Sequence, residues 1–358
     1  AVLMLAYEAA PAFDAAFAVH PSATGFPLAW LAVYGAARAE IPLQPSAFNL
    51  QPSSSGAGEY SLTAWQPGID EAAYGNAIER IHAYIAAGDT YQVNYTFPMA
   101  ARFGGDTQAW YADLCRAQRA EYCACLDTGR WEVLSISPEL FFERRNGHLV
   151  TRPMKGTHAR GRWQAEDDAF ARQLGACPKN RAENVMIVDL LRNDLGRIAE
   201  PGTVHTTRLF EVERLETVLQ MTSTIEADCR RGTSLVDIFR ALFPCGSITG
   251  APKIHTMEII RELEPFPRGV YTGTIGYVKP GGDCVFNVAI RTVVIDTTTG
   301  QATFGVGGGI TSDSTSAGEY RECALKARFL NEVRAEHQLL ESLLLEDGEY
   351  FLLDAHLT

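Results

Sequence analysis

Apolar residues first recur at helical spacing between 69 and 87, where Tyr74, Ala77, Ile78, Ile81, Tyr84 and Ile85 fall on one stripe. Asp70 stands where an N-cap is needed and Gly88-Asp89 ends the run, so the pattern predicts a helix over 69–87. The period then changes. Thr90 to Phe97 alternates, placing Tyr91, Val93 and Tyr95 on one strand face and Gln92, Asn94 and Thr96 on the other. A strand whose second face is wholly polar either meets water or lines a polar site. A helix over 106–120 follows. Residues 133–150 read as a β-hairpin: Val-Leu-Ser-Ile-Ser, a Ser137-Pro138 break, Glu139 to Glu143, an Asn146-Gly147 turn and His-Leu-Val. Further on, the pattern predicts helices over 165–175 and 180–196, the second stopped by Gly196, and strands over 203–207 and 218–225. A helix over 234–242, strands over 273–278, 284–295 and 303–310, and a helix over 316–329 complete the run. Residues 1–66 read as strands and loops, with 51–58 as a flexible linker (Gln-Pro-Ser-Ser-Ser-Gly-Ala-Gly).

With 358 residues, 46% of them hydrophobic, the chain can bury a large core as one big domain or as two. Its formal net charge of −12 argues against nucleic acid or an anionic membrane surface as partner. No apolar run approaches the roughly 18 residues that a spanning helix needs. Eight cysteines without a C-x-x-C pair argue against zinc and fit a reducing, cytoplasmic setting. The start, Ala1-Val-Leu-Met-Leu-Ala-Tyr-Glu, has neither an initiator methionine nor a basic leader, and reads as a chain entered inside a strand.

Candidate chemistry gathers in four places. In Thr151-Arg-Pro-Met-Lys155-Gly-Thr157, Lys155 sits just past a predicted strand end, between a stiffening proline and a bulk-free glycine, as a positioned amine would. Glu183 lies on or beside the apolar stripe of the 180–196 helix, with Ile187, Leu190 and Leu191; a carboxylate buried there must be paired or metal-bound. Phe243-Pro-Cys-Gly-Ser-Ile-Thr249-Gly-Ala-Pro-Lys253 resembles a tight loop feeding a helix N-terminus, a natural anion site, but lacks the P-loop spacing. Three glycines, 307–309, let backbone N–H groups approach a ligand, and the helix after them carries Glu319, Glu322 and Lys326 on one side. That face is either simply solvated or holds a hard divalent cation and a substrate anion.

The order of Ser-Pro-Glu-Leu-Phe (137–141), Pro-Met-Lys-Gly-Thr (153–157), Ala-Glu-Asn-Val-Met-Ile-Val-Asp-Leu-Leu-Arg-Asn-Asp-Leu-Gly (182–196), Gly-Ser-Ile-Thr-Gly-Ala-Pro-Lys (246–253), Tyr-Thr-Gly-Thr-Ile-Gly-Tyr (271–277) and Gly-Gly-Gly-Ile (307–310) resembles the chorismate-utilising enzymes. That family includes anthranilate synthase component I, aminodeoxychorismate synthase component I, isochorismate synthase and salicylate synthase. The resemblance spans about residues 1–334 and implies an α+β fold of two orthogonally packed antiparallel β-sheets flanked by helices. Pro-x-Lys-Gly-Thr resembles the aminodeoxychorismate synthase branch, whereas the anthranilate-forming branch has alanine where Lys155 stands. The implied reaction is amination of chorismate with ammonia to 4-amino-4-deoxychorismate, on the way to 4-aminobenzoate and folate. Lys155 would act as covalent nucleophile at C2 and Glu139 as general acid for the departing C4 hydroxyl.

The same resemblance implies Mg²⁺ held by Glu183 and Glu322, with Glu319 nearby or bridging through water. It places Tyr271, Arg291, Lys326 and the Gly307–Gly308 backbone at carboxylate-binding positions, Thr249 in a substrate loop, and Gly156 and Thr157 beside the lysine. Gln92 stands where water-adding members carry a basic lysine, which argues against isochorismate and salicylate formation. Gln220 departs from the histidine of many members. Anthranilate synthase is the rival reading; a non-catalytic relative should have lost Lys155 or a magnesium carboxylate. No glutaminase-type cysteine motif is visible, so ammonia is expected from a separate glutamine amidotransferase subunit. Residues 335–358 read as a linker and then strand, Asp347-Gly348 turn and strand, resembling the opening of aminodeoxychorismate lyase, a pyridoxal-phosphate enzyme. Either this segment is a C-terminal hairpin that packs on the synthase, or, as the resemblance implies, the chain continues into a fused lyase; in the latter case this stretch itself is expected to bind no pyridoxal phosphate and to stop at aminodeoxychorismate.

Overall fold

The computed structural model describes residues 1–22, 25–35, 58–215 and 218–331, and the backbone of 345–346 and 349–350. Seven α-helices occur among these residues: α1 (Glu71–Ala87), α2 (Thr107–Gln118), α3 (Gln164–Ala176), α4 (Pro178–Gly196), α5 (Leu235–Leu242), α6 (Lys253–Leu263) and α7 (Ser316–Ala327). Local chemistry accounts for their limits. The Asp70 carboxylate accepts from Ala73 N at 2.7 Å and Gly88 closes α1 in the left-handed conformation. Ser234 and Asp237 form a reciprocal capping box at the start of α5. Gly196 ends α4, but not as a left-handed cap. The chain tightens instead, with Arg197 right-handed and Ile198 N donating to Leu195 O at 3.0 Å.

Two large sheets, antiparallel at every pairing, carry the helices. The first runs Met154–Ala159, Val218–Asp228, His148–Arg152, Leu140–Arg145, Cys284–Val288, Thr274–Val278, Val2–Leu5, Ala29–Ala32, with His205–Arg214 on Val218–Asp228. The second runs Gly250–Ala251, Gln92–Gly105, Gln301–Ile310, Thr292–Asp296, Trp131–Ser137, Tyr122–Asp127, with two short strands, Tyr60–Leu62 and Gln66–Pro67, beside the long Gln92–Gly105. α4 and α5 bury Ile187, Leu191, Ile238 and Phe239 with Phe141, Leu149 and Ile225 of the first sheet. α1, α2 and α6 bury Tyr74, Trp110 and Ile260 with Val93, Phe97 and Phe304 of the second.

Two stretches differ from the sequence-based expectation in the same way. The predicted hairpin over 133–150 is divided: Trp131–Ser137 lies in the second sheet, and only Leu140–Arg145 and His148–Arg152 pair around Asn146-Gly147, in the first. The predicted strand 284–295 divides likewise, Cys284–Val288 in the first sheet and Thr292–Asp296 in the second. Pro138 breaks one strand, and Arg291, at φ 52°, turns the other. Because Leu140–Arg145 pairs with Cys284–Val288 and Trp131–Ser137 with Thr292–Asp296, the two strands cross side by side. Strands that switch sheets at a bend are how orthogonally packed sheets make their corners.

Near the end of the chain Leu345–Glu346 pairs with Glu349–Tyr350, as the predicted Asp347-Gly348 hairpin requires. The rest of 335–358, and 51–57 of the predicted linker, lie outside the described residues. Among the described residues no helix is long and apolar enough to cross a membrane.

Candidate active site

The polar face of Gln92–Gly105 does not meet water. Gln92, Asn94 and Thr96 are all buried, Gln92 completely, while Val93, Tyr95 and Phe97 pack into the core of the second sheet and Tyr91 is exposed. Thr96 bonds to the buried Glu264 carboxylate at 3.0 Å, and that carboxylate pairs with Arg268 at 2.6 Å. Gln92 is different: neither its amide oxygen nor its amide nitrogen has a partner. A fully buried amide with four unmet hydrogen-bonding capacities is a costly arrangement unless something else fills the space before it.

Lys155 reaches that space. It belongs to the strand Met154–Ala159, not to a loop past a strand end: Pro153 separates this strand from His148–Arg152, and the chain resumes pairing with Val218–Asp228. The ladder is irregular between Met154 and Thr157, and Gly156 takes φ +88°, so Lys155 sits on a bulge. A Cβ at Gly309 would stand 2.8 Å from Lys155 Nζ and 2.5 Å from Gln92 Nε2, so the glycine lets both side chains approach the strand Gln301–Ile310. Burial lowers the pKa of the half-buried lysine, a trend opposed by Glu183 and Glu139.

Glu139 follows Pro138 at the crossing between the sheets and is 4% exposed. Burial raises its pKa to about 7, against the opposing pull of a hydrogen bond from Ser247 Oγ (2.7 Å), the charge of Lys155 and the Met154 N–H. The site thus holds an amine shifted toward its neutral form and a carboxyl shifted toward its protonated form. Each shift points the way that nucleophile and proton donor require.

α4 and α7 bring acidic groups from two sides. Glu183, with no hydrogen bond or ion pair among the described residues, has its pKa raised by burial and by Glu319 and Glu322, and lowered by Lys155 and Lys179. Glu319 accepts from Ser314 Oγ at 2.7 Å. Glu322 is exposed and pairs with Lys326 at 2.8 Å, whose charge holds its pKa down. Oxygen donors that repel one another suit a hard divalent cation. Still, among the described residues no three acidic, histidine or cysteine side chains are drawn together tightly enough to hold a metal. The Lys326 ammonium also donates to Gly307 O at 2.8 Å, which places the glycine run between α7 and Gln92.

Other expected positions divide. Tyr271 and Arg291 lie near enough for each to feel the other's charge; burial raises the Tyr271 pKa and lowers that of Arg291 to about 10. The Arg291 guanidinium donates to Gln118 and lies 5.7 Å from the centre of the Phe329 ring. Thr249 is wholly buried, and its hydroxyl donates to Cys245 O at 3.1 Å, within its own loop. Its carbonyl accepts from Asn94 N at 2.7 Å, which ties that loop to the Gln92 strand. Lys253, at the start of α6, is not free for an anion: it pairs with the buried Asp194 at 2.8 Å. Ser247 was not among the residues expected at the site, and Gly309 was expected only as part of a glycine run open to a ligand, not as the glycine facing the lysine. Both stand within the quoted motifs, but nothing in one sequence shows which hydroxyl meets Glu139 or which glycine faces the lysine.

The family described as chorismate binding enzyme matches residues 1–332. Aminodeoxychorismate synthase component 1 of Klebsiella aerogenes is 42% identical over 267 residues, 74% of this chain and 59% of its own length. Anthranilate synthase component 1 of Streptomyces coelicolor is 39% identical over 291 residues, 79% of this chain and 56% of its own. The chain therefore spans little more than half the length of these curated relatives. Among solved structures, anthranilate synthase component I from Streptococcus pneumoniae superposes with a TM-score of 0.70 at 32% identity, covering 76% of this chain and 60% of that one.

Proposed function

The chain belongs to the chorismate-binding enzymes, and from that premise we propose that it is the chorismate-aminating unit, residues 1–334, of an aminodeoxychorismate synthase. One arrangement carries the reading: the Lys155 amine and the unpartnered Gln92 amide converge on Gly309, within reach of the charge of the buried Glu139 carboxyl, and burial disfavours the charged form of both the amine and the acid. The neutral Lys155 amine attacks C2 of chorismate as both conjugated ring double bonds shift and the C4 hydroxyl leaves, taking the Glu139 proton to depart as water. Ammonia then adds at C4, both double bonds shift back, and the Lys155–C2 bond breaks. The lysine is regenerated, and the released proton returns to Glu139. Two substitutions with good leaving groups replace one that is hard.

The other residues bind and orient. Arg291, Tyr271, Lys326 and the Gly307–Gly308 backbone would receive the two carboxylates, and Gln92 would turn its unpartnered amide to the ring. Gly156 and Thr157 would set the lysine, with Thr249 holding the loop behind Gln92. Glu183 and Glu322, with Glu319 close by, would hold Mg²⁺, which supplies charge neutralisation for the ring carboxylate when bound. Ammonia would come from a separate glutamine amidotransferase in the cytoplasm.

Anthranilate synthase is the second reading, favoured by the likeness to the Streptomyces coelicolor and Streptococcus pneumoniae proteins. A lysine in the place of that branch's alanine weighs against it. Product identification after incubation with chorismate, Mg²⁺ and ammonium separates the two. Aminodeoxychorismate is expected; anthranilate would overturn the assignment.

A further inference from the structure

Gln220 makes two hydrogen bonds to the residues that follow Lys155. Its Nε2 donates to Gly156 O at 2.8 Å, and its Oε1 accepts from Thr157 Oγ1 at 2.9 Å. The orientation of the amide is forced, because a backbone carbonyl can only accept. These contacts fall at the irregularity between Met154 and Thr157, where the ladder to Val218–Asp228 is interrupted. Thr157 faces Gln220 directly in the register, and the same glutamine faces Glu213 of the strand on its other side. Gln220 is therefore held between two strands, a rigid base from which to hold a bulge.

We infer that Gln220 is a positioning residue: its amide clamps Gly156 and Thr157 and so fixes the direction in which Lys155 enters the site. The inference rests on the nucleophilic reading of Lys155. A bulge at a glycine with φ +88° has freedom that a regular ladder lacks, and the amine at the end of a long side chain amplifies any rotation of its backbone. Gln92 and Gly309 mark where that amine must arrive. The amide carries donor and acceptor side by side, which matches an adjacent carbonyl and hydroxyl. An imidazole carries its two nitrogens on different edges of the ring and cannot meet both in this way.

The test uses the full chain with chorismate, Mg²⁺ and ammonium, comparing Gln220→Leu, Thr157→Val, the double variant and Lys155→Ala, with melting temperatures recorded throughout. Gln220→Leu is expected to lower kcat roughly a hundredfold, as a misplaced reacting group does, with little change in KM and with melting unchanged. Thr157→Val is expected to add nothing in the Gln220→Leu background, since the clamp is already open. A near-native kcat in Gln220→Leu beside an inactive Lys155→Ala would overturn the clamp alone. So would a loss confined to KM, or effects of the two substitutions that multiply. Native turnover by Lys155→Ala would overturn the nucleophilic reading, and the clamp with it.

Discussion

At the scale of single residues, Glu139 is the most informative group. Its folded pKa, about 7, lies above the 4.5 of an unburied glutamic acid, so the folded protein holds a proton that the unfolded chain has lost between those values. The stability associated with that proton is fully present below pH 4.5 and is lost as pH rises through 7. A shift of this size corresponds to about 3 kcal/mol. Glu139→Gln, which keeps the shape and stays neutral, is expected to flatten the fall in stability between pH 5 and 8 and to abolish turnover at every pH. Chemical denaturation across that pH range checks the first part; an unchanged slope would mean that Glu139 ionises in the fold as it does in water. Ser247 tempers the same group, since its hydroxyl favours the carboxylate.

At the scale of elements, the site is a meeting of strands and helices that lie far apart in sequence. The first helix was legible because its period and caps agree: Asp70 and Gly88 stand where the structure needs them, whereas the Ser234–Asp237 capping box of α5 appears only in the structure. The strands were legible singly but not in their partnership. Alternation is the same whether a strand stays in one sheet or bends into the next, so the crossings at Ser137–Leu140 and Val288–Thr292 left no mark beyond Pro138. The polar face of the Gln92 strand was legible as a choice between water and a polar site; burial excludes bulk water, Thr96 joins the internal Glu264–Arg268 pair, and the Gln92 amide is left without a partner. Lys155, Glu139 and Glu183 could be named from motif order, whereas the roles of Ser247, Gln220 and Gly309 arise only from packing across elements. α7 carries its own test. Glu322 pairs with Lys326 in the structure, yet also weighs on Glu183 of α4. Glu322→Gln is expected to raise the Mg²⁺ concentration for half-maximal rate at least roughly tenfold, measured by magnesium titration of turnover. An unchanged titration would remove Glu322 from the metal site.

At the scale of the whole molecule, each sheet has its own helical layer and a large apolar core, a smaller cluster packs Met4 and Ile275 of the first sheet on Trp131 and Val133 of the second, and the candidate site lies where the two sheets meet. Lys155 comes from an end strand of the first sheet, Gln92 and Gly309 from paired strands of the second, Glu139 from a crossing between them, and the acidic groups from a helix on each side. On the proposed reading, this division would let one architecture serve relatives with different names: the sheets would frame the site, and a few side chains facing it would choose the nucleophile. The central claim is that in this chain the nucleophile is the lysine. The most direct measurement is the steady-state rate of ammonia-dependent aminodeoxychorismate formation by Lys155→Ala against the native chain, with the melting temperatures compared. A loss of several orders of magnitude in an intact fold is expected; undiminished turnover would contradict the account.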